Sequence, residues 1–184
     1  MKLPPNQKIA KKWNVYAVLG YPEISIDKWR IHISGLVKKT LELSLDELYS
    51  MKMMRIEGGF HCVEGWSIVD VVWEGVKIRD LAERAGYDEK SMWVLFKGLD
   101  GYSAPAPVDY VLEEDSIIAL KMNGKPIPYE HGYPARPIIP KLYAWKSVKW
   151  LKEIEFREDY VDGYWEERGY HQRGDVWLEE RRRK

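Results

Sequence analysis

The stretch from Met92 to Gly124, MWVLFKGLDGYSAPAPVDYVLEEDSIIALKMNG, decides the fold class. Met92 to Phe96 is a short apolar run, Asp100-Gly101 is a turn signal, and Ser116 to Met122 reads as a strand. Asn123-Gly124 then marks a tight hairpin, because Asn and Gly tolerate the positive φ that a two-residue type I′ turn imposes. Strand follows strand here, without the regular alternation of strand and helix that builds a doubly wound parallel sheet. No G-x-G-x-x-G opens a helix, which disfavours a Rossmann fold. The reading is an α+β fold with mixed β-sheets and short helices.

Upstream, Ile78, Leu81, Ala82 and Ala85 recur at helical spacing, and Gly86 stands where a C-terminal cap belongs. Ser44 with Glu47 three residues later forms a capping box for a second short helix through Leu48. Trp29, Ile31 and Ile33 alternate with Arg30, His32 and Ser34, the period of a half-buried strand ended by Gly35. Between these elements, Phe60 to Val72 predicts a buried strand or bend around Cys62, entered through Gly58-Gly59. Residues 1–22 lack periodicity and read as an arm laid over the domain. Downstream, Ile138-Ile139 is a short strand between Pro137 and Pro140. Val148, Trp150, Ile154 and Phe156 share parity across a last strand. Residues 157–184 form a charged, aromatic tail whose final run, Arg181 to Lys184, reads as a solvated end.

The 184 residues predict one domain spanning 1–184, with a composition that is globular: 45% hydrophobic and 32% charged, with 29 basic residues balancing 29 acidic ones. That balance argues against nucleic acid as a partner. No long apolar run or export leader is found, so a soluble cytoplasmic protein without a membrane span is expected. The nine Trp and twelve Tyr against three Phe favour rings with a hydrogen-bonding handle, suited to cores and to pockets with one wet end. Cys62 has no second Cys to pair with, which removes disulfides and multi-Cys zinc sites.

A lone Cys in an apolar run is most often an inert thiol. This one has company, lying in His61-Cys62-Val63-Glu64-Gly65-Trp66-Ser67. As a nucleophile it needs a base, with His61, His131 and His171 as candidates, which gives a cofactor-independent thiol enzyme. As a metal ligand it needs the other donors from a cofactor. Residues 121–149 bear on the choice. They hold Lys121, Lys125, Arg136, Lys141, Lys146 and Lys149 against Glu130, a cationic stretch suited to a small anionic ligand such as a phosphate. Arg136 stands out, since Pro134 and Pro137 restrain the backbone around it. His131, before Gly132, is a further candidate contact.

An ordered series of segments resembles the molybdopterin-binding domain of the sulfite oxidase family. It comprises Trp29 to Val37, Leu43 to Leu48, Cys62 to Ser67, Gly101 to Ser103, Met122 to Pro128, His131 to Pro140, Lys146 to Leu151, and a tail, Trp165 to His171, similar to stand-alone members. The resemblance implies a molybdenum centre in which Cys62 is the protein ligand and a pyranopterin dithiolene supplies the other sulfurs. It places cofactor contacts at Asn14, Tyr16, Ala17, Gly98, His131, Arg136, Ser147, Val148 and Lys149, and sets Glu64 beside Cys62 as a catalytic residue. The implied reaction is two-electron oxygen-atom transfer between water and a small-molecule substrate, an S-oxide, N-oxide or sulfite-like species, with electrons exchanged with a separate redox partner. Sulfite oxidases carry a basic residue shortly after the ligand Cys. Here Val63-Glu64-Gly65-Trp66 follows, a context similar to methionine sulfoxide reductase catalytic subunits, and a carboxylate there would repel sulfite.

Overall fold

The computed structural model describes residues 2–183, so Lys184 of the terminal basic run and Met1 lie outside the described residues. In chain order the elements are β1 (Lys8–Ile9), β2 (Ile31–Gly35), β3 (Leu41–Leu43), α1 (Leu45–Ser50), β4 (Met53–Glu57), β5 (Phe60–His61), β6 (Trp66–Ile68) and β7 (Val72–Lys77). There follow α2 (Ile78–Ala85), β8 (Trp93–Gly98), β9 (Ser103–Pro107), α3 (Val108–Val111), β10 (Ile117–Met122), β11 (Lys125–Pro126), β12 (Arg136–Ile138) and β13 (Leu151–Arg157).

One five-stranded sheet runs β3-β2-β13-β8-β9, with β13 parallel to β2 and antiparallel to β8. A second places β11, β10, β7 and β4 side by side, with β12 also paired to β10. A third, small sheet joins β1, β6 and β5. The apolar run of β10 is buried on both faces: Ile118 and Leu120 enter the main core with Ile33, Phe96 and Ile154, while Ile117 and Ala119 pack with Phe60 and Trp73. Burial on both faces is why this strand reads as continuous rather than alternating hydrophobicity. A third cluster, Tyr143, Trp145, Tyr170 and Val176, binds the tail to the body.

Local signals explain several elements. Ser44 Oγ accepts from the Glu47 N–H while the Glu47 carboxylate accepts from the Ser44 N–H, so α1 starts with a complete capping box. Gly86 ends α2 in the left-handed conformation, and Asn123 and Gly124, with φ of 53° and 77°, make the β10–β11 turn. Gly35 is a second required glycine: φ is +80° and a Cβ there would lie 2.1 Å from the Phe156 carbonyl oxygen. Gly35→Ala is therefore expected to cost roughly 1–3 kcal/mol, read as a lower urea midpoint with unchanged slope.

Ser103–Pro107 forms β9, a strand not assigned from sequence, despite Pro105 and Pro107, because β9 lies at a sheet edge where missing N–H groups are tolerated. Three expectations are corrected. The last strand begins at Leu151, not Val148; Trp150 has a φ of 51°, and the register shifts between Leu151 and Glu153. The arm contains a strand, β1, that pairs in parallel with β6. The tail is not simply solvated: Arg181 donates to the Val63 carbonyl and Arg183 to the Asp162 carboxylate.

Candidate functional site

β5 and β6 are joined by a tight turn that presents Cys62. The Cys62 N–H donates to the Trp66 carbonyl at 2.8 Å and the Gly65 N–H to the Cys62 carbonyl at 3.0 Å. Side chains alternate along the chain here. His61 Nδ1 lies 2.8 Å from Ser67 Oγ, which itself donates to Gln7 Oε1 at 2.9 Å. With the hydroxyl proton committed to Gln7, His61 Nδ1 must be the donor, and burial holds its pKa down to about 4. Gly59 makes room for this ring, since a Cβ there would sit 2.3 Å from His61 Cε1.

Cys62 is 8% exposed and free, with the Glu64 and Val63 backbone amides placed to hydrogen-bond its sulfur. Burial pushes the thiol up to about 11, so without a metal it is protonated at neutral pH. None of the candidate bases partners it. His61 faces Ser67, the His131 ring packs on Trp13 at 4.6 Å, and His171 Nδ1 accepts the Arg173 N–H at 3.2 Å. A protonated thiol whose candidate bases are engaged elsewhere does not support the cofactor-independent thiol enzyme.

Cys62 opens onto a cavity of about 490 Å³ whose wall also includes Asn14, Tyr16, Ala17, Glu64, His131, Arg136, Ser147 and Lys149. The structure thus brings together most of the residues singled out from sequence, and the arm supplies one wall. Two do not face the space. Val148 is fully buried between its cavity-facing neighbours, and Gly98 lies behind Lys149, where a Cβ would stand 2.7 Å from the Lys149 carbonyl oxygen. Trp13, Trp66, Asp100, Tyr102, Trp145, Trp165 and Tyr170 also line the wall and were not among the site residues read from sequence. The Trp and Tyr excess was their one collective signal.

Near Cys62, Glu64 Oε2 accepts from the Tyr16 hydroxyl at 2.6 Å and from Trp66 Nε1 at 3.3 Å. The hydrogen bond to that carboxylate is the main reason the Tyr16 phenol is pushed up to about 12. Arg136 belongs to a separate cationic group. It is 4% exposed and donates Nε to Ser147 Oγ at 2.8 Å and its two terminal nitrogens to the carbonyls of His131 and Ser147 at 2.7 and 2.8 Å. Burial lowers it to about 9, which leaves it charged at neutral pH. Lys149 Nζ donates to the Glu130 carbonyl at 2.9 Å and lies 4.3 Å from the Trp150 ring centroid.

The cationic stretch is therefore narrower than its sequence suggests. Lys141 pairs with Glu113, Lys121 lies over Tyr49, Lys125 is exposed on the hairpin and Lys146 is buried against Glu166. Arg136 and Lys149 are the two of the six that charge the cavity wall. Burial, and next the Arg136 charge, lower Lys149 to about 8. An anion there is held by the protonated amine, so inorganic phosphate binding, followed by calorimetry, is expected to weaken several-fold between pH 7 and pH 9 and to lose this dependence in Lys149→Met.

The donor set suits a metal held mainly by a cofactor. Cys62 is a free thiol facing a large cavity, Arg136 and Lys149 offer an anion site on the same cavity, and no group of three or more His, Cys, Asp or Glu could hold a metal among the described residues. Comparison with known proteins agrees. The chain is 38% identical over 181 residues to "Uncharacterized oxidoreductase YuiH" of Bacillus subtilis, covering 98% of this chain and 91% of that one. It is 29% identical to the protein-methionine-sulfoxide reductase catalytic subunit MsrP of Xanthomonas campestris, covering 77% of this chain and 49% of that protein. It is 28% identical to human mitochondrial sulfite oxidase, covering 83% of this chain and 33% of the relative. The chain thus spans about half or less of these last two relatives. The fold matches the sulfane dehydrogenase SoxCD of Paracoccus pantotrophus with a TM-score of 0.71 at 21% identity, over 82% of this chain and 42% of that one. Residues 18–165 match the family described as "Oxidoreductase molybdopterin binding domain". With the fold, the cavity and the lone ligand-competent thiol in agreement, the chain belongs to the oxidoreductase molybdopterin-binding domain family, enzymes that work with a molybdenum–molybdopterin cofactor.

Proposed function

We propose that the protein transfers an oxygen atom between water and a small S-oxide or N-oxide, with Cys62 as the protein thiolate on molybdenum. The carrying observation is the pairing of Cys62 with Glu64 on one cavity wall. When bound, the cofactor supplies a metal able to exchange two electrons and an oxygen ligand. This chain's residues do the rest. Cys62 gives up its proton on ligation, as metal binding to a thiol requires. Arg136, Lys149 and Ser147 hold the anionic end of the cofactor. Tyr16 Oη donates to Glu64 Oε2, a pair that would hold and relay a proton on the cofactor's side of the cavity, the overall reduction of an S-oxide or N-oxide taking up two electrons and two protons and releasing water.

Glu64 also bears on substrate choice. A fixed negative charge about 4 Å from an anion costs roughly 1–4 kcal/mol at the dielectrics of a solvated site, which favours an uncharged S-oxide or N-oxide over sulfite. The aromatic walls, Trp66 and Trp165 among them, suit an apolar substituent. A separate electron carrier and a cytoplasmic location belong to the same proposal. No helix among the described residues is long and apolar enough to cross a membrane.

The test uses protein from a host that makes the cofactor. Molybdenum is measured, S-oxides, N-oxides and sulfite are screened with redox dyes, and cell fractions are assayed for the enzyme. Bound molybdenum with S-oxide or N-oxide turnover is expected. Metal-free protein, or preference for sulfite, overturns the proposal.

A further inference from the structure

The turn that carries Cys62 exposes three carbonyls, and each is taken by residues 7–8 of the arm or residue 181 of the tail. Gln7 Nε2 donates to the Cys62 carbonyl at 3.0 Å, Arg181 donates to the Val63 carbonyl, and the Lys8 N–H donates to the Gly65 carbonyl at 2.9 Å. The arm and the tail also bind each other. Asn6 Nδ2 donates to the Glu179 carboxylate at 2.6 Å, and Arg181 reaches the Asn6 carbonyl at 3.4 Å. The contact is close: Gly65 has a φ of +94°, and a Cβ there would meet the Asn6 carbonyl oxygen at 3.1 Å. Arg181 is the charged member, its guanidinium carbon 5.3 Å from the Tyr143 ring centroid and its side chain 22% exposed.

We infer that residues 6–8 and 179–181 form a clamp on the Cys62 turn, with Arg181 as a positioning residue that fixes where the thiol points. Arg181 has no part in the chemistry and acts through the Val63 carbonyl. A four-residue turn anchored only by its own bonds samples several orientations, whereas one whose outward carbonyls are tied down samples few, and a metal ligand needs the second condition. Gln7 extends the clamp inward, since its Oε1 accepts from the Ser67 hydroxyl that orients His61.

The test is amide hydrogen exchange of the full chain, with and without cofactor, in Arg181→Met, Arg181→Lys and the control Arg183→Met, whose side chain donates to Asp162, Tyr160 and the Tyr170 carbonyl and to none of the turn carbonyls. In Arg181→Met the Cys62 and Gly65 amides should exchange about tenfold faster or more, as for loss of one charged hydrogen bond. Arg181→Lys should restore part of the protection, and Arg183→Met should leave the turn as in the parent. In the loaded protein, the electron paramagnetic resonance signal of the half-reduced metal should broaden in Arg181→Met alone, reporting a spread of Cys62 orientations. Turn exchange within twofold of the parent, or equal acceleration by Arg183→Met, overturns the clamp. This rests on Cys62 being the metal ligand only in its spectroscopic arm, so a failure of the proposed function leaves the exchange result standing on its own.

Discussion

Cys62→Ser is expected to lower kcat/KM by more than about 100-fold. Loss of residues that merely orient a ligand costs 10–100-fold in such sites, and this change removes the ligand itself. Serine is close in size, but its hydroxyl is a hard oxygen donor with a far higher pKa, and a soft thiolate is what this position contributes. The fold should be indifferent, because the thiol stands on a cavity wall and the smaller hydroxyl needs no repacking around it. Melting of the cofactor-free Ser variant should match the parent closely. Molybdenum content and kcat/KM measured on the same preparation separate loss of metal from loss of chemistry, and a fully active Ser variant would refute the assignment.

Lys146→Met carries the largest expected stability effect. Lys146 and Glu166 are 2% and 0% exposed at their side chains, with Nζ 2.7 Å from Glu166 Oε1. The ammonium also donates to the carbonyls of Pro105 at 2.7 Å and Gln172 at 2.5 Å. On the other side, Glu166 Oε1 accepts from Trp145 Nε1 at 2.7 Å, while Oε2 is buried without a partner. Removing the lysine leaves a buried carboxylate with too few donors, a loss of about 3–5 kcal/mol. For a chain of this length that is roughly a 10 °C fall in Tm. Replacing both partners, Lys146→Met with Glu166→Leu, should recover most of it, because the penalty comes from the orphaned charge. Differential scanning calorimetry of the two variants decides; equal destabilisation would show that the pair is net stabilising instead.

Lys146 also shows where sequence reading stopped. It belongs to a stretch with six basic residues, and spacing alone cannot separate a lysine that faces an anion from one sealed against a carboxylate in the tail. The partner, Glu166, lies twenty positions away in a segment with no periodic pattern. Local signals were legible where the physics is local: the Ser44–Glu47 box, the Gly86 cap and the Asn123-Gly124 turn all formed. β9 was hidden because its prolines argue against a strand unless the edge position is known. For the site, Cys62, Glu64, Arg136, Ser147 and Lys149 were legible through the family resemblance and their chemistry. Gln7 and Arg181 were not, because each acts by hydrogen-bonding a backbone carbonyl, and carbonyls carry no sequence signature.

The clamp has a consequence in time. Arg181 meets a carbonyl 118 positions earlier in the chain, and Asn6 meets a carboxylate 173 positions later. Contacts of such separation form late, since a long loop must close before they return any energy. During vectorial synthesis the N-terminal half of the clamp emerges first and waits with one side empty. On the clamp inferred above, the Cys62 turn reaches its final geometry only after residues 179–181 have been made and have docked, so a cofactor that arrives earlier meets a turn still held on one side.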